Sequence, residues 1–293
     1  MAIRTTKMVA VSGKSGQLGR ELALLAPAYP EFEFLFLSQE TFPLNDEEKM
    51  KAWLKANPVR IFINCAAYTA VDKAETEQQA AYRINGEAPG IIAGLMAASG
   101  GKFIQISTDY VFDGRSSTPL NETAATDPVN VYGASKLKGE QEAMSRNPDT
   151  VVIRTSWLYS AFGHNFVKTM LRLMAEREQI QVVSDQVGSP TYAADLADAI
   201  LKIISAKEFV PGIYHYSNEG KASWFEFASE IKKITGSSCT VLPVESSGYP
   251  TAAKRPAYSL LDKSKIRSVY NISIPEWRTS LVRCLDLLMK SKV

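Results

Sequence analysis

Lys7-Met8-Val9-Ala10-Val11-Ser12-Gly13-Lys14-Ser15-Gly16-Gln17-Leu18-Gly19 joins a short apolar run to a glycine-rich turn, and Arg20 to Leu25 then takes on a helical period. Glycines at 13, 16 and 19 set a G-x-x-G-x-x-G spacing. Without side chains the main chain can turn tightly there and approach a pyrophosphate, whose charge rests on the positive end of the following helix. Strand, glycine turn and helix in that order are the context of a dinucleotide-binding fingerprint. Single residues exclude two other glycine motifs. A P-loop ending in Gly13-Lys14-Ser15 would need glycine at Met8, and a G-x-S-x-G nucleophile elbow would need it at Gln17.

Further buried strands are expected at Phe32 to Leu37, Arg60 to Ala67, Lys102 to Ser107, Thr150 to Ser156 and Gly212 to Ser217. Helical stretches lie between them: Asp46 to Ala56 with Asn45-Asp46 as cap, Val71 to Asn85, Ala88 to Ala98, and Asp195 to Ile204. Asn165 to Arg177, a capping box Ser223-x-x-Glu226 opening a helix that closes at Gly236, and Pro275 to Met289 complete the set. Strands alternating with helices predict an α/β chain: a Rossmann doubly wound parallel sheet with a smaller, interleaved α/β C-terminal substrate domain. The expected division is 1–159 plus about 193–220 for the dinucleotide domain, and about 160–192 plus 221–293 for the other.

Composition is that of an ordinary globular protein: 293 residues, 45% hydrophobic, 22% charged, net charge +2. Basic residues do not cluster, so nothing asks for nucleic acid or a membrane surface. No stretch reads as a signal peptide or membrane span, and the cytoplasm is the default expectation. Cys65, Cys239 and Cys284, and His164 and His215, have no metal-ligand spacing, so no metal site is expected from them.

Tyr132-Gly133-Ala134-Ser135-Lys136 places a phenol and an ammonium one turn apart on one helix face. A free phenol titrates near about 10, and a fixed ammonium favours the phenolate, so lysine is expected to bring the tyrosine towards neutrality. Upstream, Ser107-Thr108-Asp109-Tyr110-Val111-Phe112-Asp113-Gly114 follows the fourth strand, whose carboxyl end faces the ligand crevice of such a sheet. The second strand ends in Ser38-Gln39, with Glu40 late for a ribose-binding acid. A 2′-phosphate would not be repelled, and Lys14 or Arg20 would attract it, so NADPH is favoured over NADH.

The glycine turn, S-T-D-Y-V-F-D-G and Y-G-A-S-K together resemble an extended short-chain dehydrogenase/reductase and, within that group, the dTDP-4-dehydrorhamnose reductase family. Segments 65–72 (C-A-A-Y-T-A-V-D), 154–159 (R-T-S-W-L-Y), 185–191 (D-Q-V-G-S-P-T) and Arg255-Pro256 extend the likeness from about residue 7 to about 290. The resemblance implies NAD(P)H-dependent reduction of the C4 keto group of dTDP-4-dehydro-L-rhamnose. Thr108, Tyr132 and Lys136 would be catalytic: hydroxyl partner, proton donor, and holder of the nicotinamide ribose. Gly13, Gly16, Gln17, Leu18, Gly19, Pro43, Leu44, Ala66, Ala67 and Tyr68 would line the cofactor with Tyr132 and Lys136. Asp109 would orient the sugar hydroxyls, Trp157 would stack on the sugar, and Arg255 would offer its planar fork to the diphosphate.

Three positions depart from the family. Ala194 stands where some relatives carry a glutamate that ligands a dimer-bridging magnesium, which puts metal and dimer in doubt and leaves monomer and homodimer both open. Ile106 replaces a tyrosine near the triad, and Pro43 replaces an aspartate before the second helix. Two other functions stay open at the sequence level. One is a reductase or epimerase of another nucleotide-activated deoxysugar. The other is a non-catalytic NADP-binding regulatory subunit of the methionine adenosyltransferase type, which would have no need of all three catalytic residues.

Overall fold

In the computed structural model, which describes residues 7–290, six parallel strands form one sheet. They are β1 (Lys7–Ser12), β2 (Phe32–Leu37), β3 (Ile61–Asn64), β4 (Lys102–Thr108), β5 (Thr150–Thr155) and β6 (Gly212–His215). The outer ends of the expected domains, residues 1–6 and 291–293, lie outside the described residues. The strand order is β6-β5-β4-β3-β1-β2. Successive strands run away from β1 in opposite directions, so the switch point lies between β1 and β3, where such sheets open a crevice at their carboxyl ends.

Two helix layers bury the sheet. On one face α1 (Gln17–Leu25) and α6 (Ala193–Ser205) pack Leu18, Leu22, Leu196 and Ile200 against Val9, Val11, Ile63 and Ile153. On the other, α2 (Glu47–Ala56), α3 (Ala88–Ala98) and α4 (Val131–Arg146) pack Met50, Ile92, Met96 and Ala143 against Ala10, Phe62 and Phe103. Both faces being covered, the strands are near-continuous apolar runs. A second core joins α5 (Phe166–Glu176), α7 (Trp224–Thr235) and α8 (Trp277–Lys290) around Met170, Phe227, Trp277 and Leu281. It is edged by a parallel pair, Gln179–Val183 with Thr240–Val244.

Local sequence is obeyed at the caps. Asp46 accepts from the Lys49 N–H, Asn165 from that of Lys168, and Ser223 and Glu226 make both bonds of the capping box, with Gly236 left-handed at the far end. Two expectations are corrected. The third strand stops at Asn64, because the Ala66 N–H turns to the Ser12 hydroxyl (3.3 Å). Val71 to Asn85 is not one helix: it breaks after Ala74, where Glu75 instead accepts from the Val131 N–H at 2.9 Å. Helix resumes at Gln78 and runs through a π turn, Arg83–Glu87, into α3. Pro89 has no N–H to offer the Asn85 carbonyl, and a wide turn accommodates that missing bond.

Candidate active site

The cradle at the end of β1 is made of main chain. Gly13 has φ +76, and a Cβ there would stand 2.9 Å from the Ala66 nitrogen, so the segment leaving β3 can come this close only to glycine. A Cβ on Gly19 would collide with the Gly13 carbonyl oxygen, and one on Gly16 would crowd the same atom at 3.2 Å. These contacts seat α1 with its N-terminus open to the crevice, and the cradle fits a dinucleotide pyrophosphate. Leu18 turns its side chain into the core and leaves only main chain on the cradle side. Leu44 is buried as well, while Pro43, Ala66, Ala67 and Tyr68 are half-buried along the rim. Gln17 does something the sequence did not reveal. Its amide accepts from Asn165 (3.0 Å), which ties the loop to the start of α5.

Thr108, Asp109 and Tyr132 meet at the end of β4. The Thr108 hydroxyl, beside the Tyr132 phenol, donates to Asp109 at 3.1 Å and accepts from the Tyr110 N–H at 3.2 Å. Tyr132 rides on the first turn of α4, whose N-terminus is held by Asn130 accepting from Gly133 (2.7 Å) and by Glu75. Tyr110 stands edge-on to it, with ring centroids 5.6 Å apart. Lys136, 3% exposed, donates to the Ile106 carbonyl at 2.6 Å.

The electrostatics differ from the expectation that lysine lowers the tyrosine. Burial pushes the Tyr132 phenol up to about 12, the Thr108 hydrogen bond opposes this, and nearby Asp109 adds to it. Burial brings Lys136 down to about 8 against the opposing charge of Glu140. Desolvation outweighs the pairing on both groups. Asp109 is raised to about 6, again by burial, and its Oδ2 has no hydrogen-bond partner.

The remaining predicted residues are engaged with protein groups. Arg255 forms a fork with Asp72 (2.8 and 3.1 Å) and donates to the Ala253 carbonyl, while Asp72 also accepts from the Ala253 N–H. Trp157 has φ +48, a left-handed conformation that a bulky side chain seldom adopts. Its ring lies flat on Trp224, centroids 3.6 Å apart and planes 10° apart.

Sequence reasoning missed a line of buried amides and hydroxyls beneath the crevice. Ser12 donates to Asn64 (2.6 Å), Asn64 to Gln105 (2.9 Å), and Gln105 to the Ile106 carbonyl that also accepts from Lys136. Asn85, in the π turn, exchanges two bonds with the Tyr68 main chain and donates to Ser135 on α4. A polar residue inside each apolar strand, and Asn-Gly inside a helical period, were the available signals. No group of three or more His, Cys, Asp or Glu among the described residues is placed to hold a metal ion, and Ala194 offers no ligand atom. No helix among them is long and apolar enough to cross a membrane.

The family model described as RmlD substrate binding domain matches residues 7–290. The chain is 40% identical to the dTDP-4-dehydrorhamnose reductase of Sinorhizobium fredii (strain NBRC 101917 / NGR234), over 97% of this chain and 99% of that one. It is 39% identical to the dTDP-4-dehydrorhamnose reductase of Bacillus anthracis str. Ames, solved in complex with NADP, with a TM-score of 0.92 over 97% of this chain and 100% of that one. A reductase of the same description from Clostridium acetobutylicum ATCC 824 superposes with a TM-score of 0.93 at 36% identity, covering 96% and 99%.

Proposed function

The chain belongs to the dTDP-4-dehydrorhamnose reductase family of extended short-chain dehydrogenases/reductases, and from that premise we propose that it reduces the C4 keto group of dTDP-4-dehydro-L-rhamnose to give dTDP-L-rhamnose. The observation that carries this is the convergence of Thr108, Tyr132 and Lys136 at the end of β4, across the switch point from the glycine cradle. When bound, NADPH supplies the hydride. Tyr132, protonated at neutral pH, gives its proton to the oxygen on C4. Thr108 hydrogen-bonds that oxygen and steadies the phenol. The Lys136 ammonium stabilises the negative charge that passes to Tyr132 and holds the nicotinamide ribose.

On the same reading, Gly13, Gly16, Gln17, Leu18, Gly19, Pro43, Leu44, Ala66, Ala67 and Tyr68 hold the cofactor, and Asp109, Trp157 and Arg255 hold the nucleotide sugar. Arg255 reaches the diphosphate by exchanging its Asp72 partner for phosphate oxygens of the same fork geometry. Residues 1–159 with about 193–220 form the cofactor unit, and about 160–192 with 221–293 the sugar unit. The separate apolar core around Phe227 and Trp277 supports this division. Ile266, Ile272 and Ile274 reach back to the main sheet and interleave the two. The reading carries with it a cytoplasmic location, beside the supply of nucleotide sugar.

The deciding experiment is NADPH or NADH oxidation with dTDP-4-keto-6-deoxy-L-mannose, the product being identified by NMR. Stoichiometric dTDP-L-rhamnose is expected. No turnover with either cofactor, by protein shown to bind it, would end this reading.

A further inference from the structure

Glu140 lies one helical turn beyond Lys136 on α4 and is 1% exposed. Its carboxylate is gripped by Arg154 of β5 through three contacts (3.0, 3.1 and 2.7 Å) and accepts the Ser107 hydroxyl at 2.5 Å. Ser107 and Arg154 face each other across the β4–β5 ladder, and the next pair in register is Thr108 with Thr155. One carboxylate therefore touches the residue before Thr108, the strand beside it and, through its own helix, the turn that carries Lys136. We propose that Glu140 is a positioning residue of the active centre: with Arg154 and Ser107 it fixes β4 against α4 and supplies the counter-charge for the Lys136 ammonium. The inference rests on the reductase reading for its purpose, but its physical content does not depend on turnover.

The charges around the site make Glu140 decisive. Two buried cations lie near this carboxylate: Arg154 contacts it directly, and Lys136, one turn earlier on α4, feels its charge while its ammonium bonds the Ile106 carbonyl. The other groups facing them do not replace it. Cys65, beside Lys136 at the end of β3, is held as the neutral thiol, because burial pushes it far above its ordinary value. His215 on β6, beside Arg154, is brought down to about 3 by burial and by that guanidinium, so it is neutral too. Phe112 offers Arg154 only a ring face, 5.2 Å away. Tyr132, one turn before Lys136, is protonated, and Asp109 lies on the Tyr132 and Thr108 side of the site. Asp262 faces His215 and not the lysine. A buried ion pair is weak evidence for stability, and removing one partner strands the other charge. Here the stranded charge would be next to a lysine already brought down to about 8.

The test is the titration of Lys136 in the cofactor-free protein, followed by NMR of its 13C-labelled ε-carbon, together with the pH profile of kcat/KM. Glu140→Gln removes the carboxylate, and the double variant Glu140→Gln/Arg154→Met removes the pair without stranding the guanidinium. In Glu140→Gln the Lys136 midpoint is expected to fall by at least one pH unit, and in the double variant by less, because loss of the Arg154 charge acts in the opposite direction. Activity on the alkaline limb, at pH 8, should then drop about fivefold or more relative to wild type, with a smaller loss at pH 6. Arg154→Met alone leaves the carboxylate to the lysine and should move the midpoint upward. Glu140→Asp should restore part of the shift. An unchanged lysine midpoint in Glu140→Gln, or a midpoint in the double variant no higher than in Glu140→Gln, would overturn the proposal, as would a loss of activity equal at all pH values. Wild-type turnover of the 4-keto sugar tests the reductase reading separately.

Discussion

The two sides of the crevice are built on opposite plans. At the glycine turn the surface is main chain, and what matters is which side chains are missing: a Cβ on Gly13 or Gly19 would fill the cradle or push α1 off its seat. On the opposite side the relevant groups are side chains with partners of their own. Asp72 holds Arg255, Trp224 covers one face of Trp157, and Thr108 and Asp109 bond each other beside Tyr132. A backbone cradle is formed before its ligand arrives. A rim of paired side chains has to exchange partners, and its affinity is the difference between two sets of contacts.

The largest effect should separate the two sides completely. Tyr132→Phe removes the proton donor without touching the cradle, so kcat should fall by about 10²-fold or more while the dissociation constant for NADPH, measured by fluorescence titration, stays put. An unchanged kcat would remove Tyr132 from its role. Next comes the strain stored on the paired side. The folded protein holds Asp109 at about 6, above the ordinary carboxylate value, so its ionisation opposes folding. That cost is fully present above about pH 6 and disappears below about pH 4, where both states are protonated. Asp109→Asn should therefore stabilise the protein by on the order of 2 kcal/mol at pH 7.5 and by almost nothing at pH 4, read by denaturant unfolding. A gain equal at both pH values would place its origin elsewhere than in the buried charge.

A smaller change probes the cradle. Gly13→Ala imposes a left-handed alanine and a close contact with Ala66, and should weaken NADPH binding about tenfold while the KM for the sugar moves less. Equal losses for both ligands would show that the two sides are not independent. The smallest effect tests partner exchange. Asp72→Asn leaves Arg255 freer, so the KM for the nucleotide sugar should fall about two- to fivefold, whereas Arg255→Ala should raise it. A rise in both variants would make Asp72 a strut for the 253–255 segment and not a stand-in for phosphate.

The same contrast explains what could be read from the sequence. The cradle was legible because glycine spacing after an apolar strand is a local signal, and β1 and β2 occupy the residues expected of them. The capping box at Ser223 and the return of Gly212 to the main sheet were legible for the same reason. Tyr132 and Lys136 followed from motif spacing and Thr108 from the family resemblance, but their electrostatic balance did not. Desolvation depends on everything packed around a group, and none of that is local. Glu140, Arg154 and Asn85 escaped notice because each meets its partner across a long interval of chain or across strands. The break after Ala74 was hidden because Glu75 answers to Val131, 56 residues away.

The bond between Gln17 and Asn165 joins the opening turn of α1 to the first turn of α5. Asn165 caps α5 with its oxygen and holds Gln17 with its nitrogen, so a rotation of that one amide is felt at the opening turn of α1 and at the first turn of α5 together. Whatever free energy one ligand transmits through this amide, the other returns in full, because binding couplings are reciprocal. If that coupling is real, Gln17→Leu should remove it, and a double titration would show a cross-term in wild type that is absent in the variant; no cross-term in wild type would leave the bond purely structural.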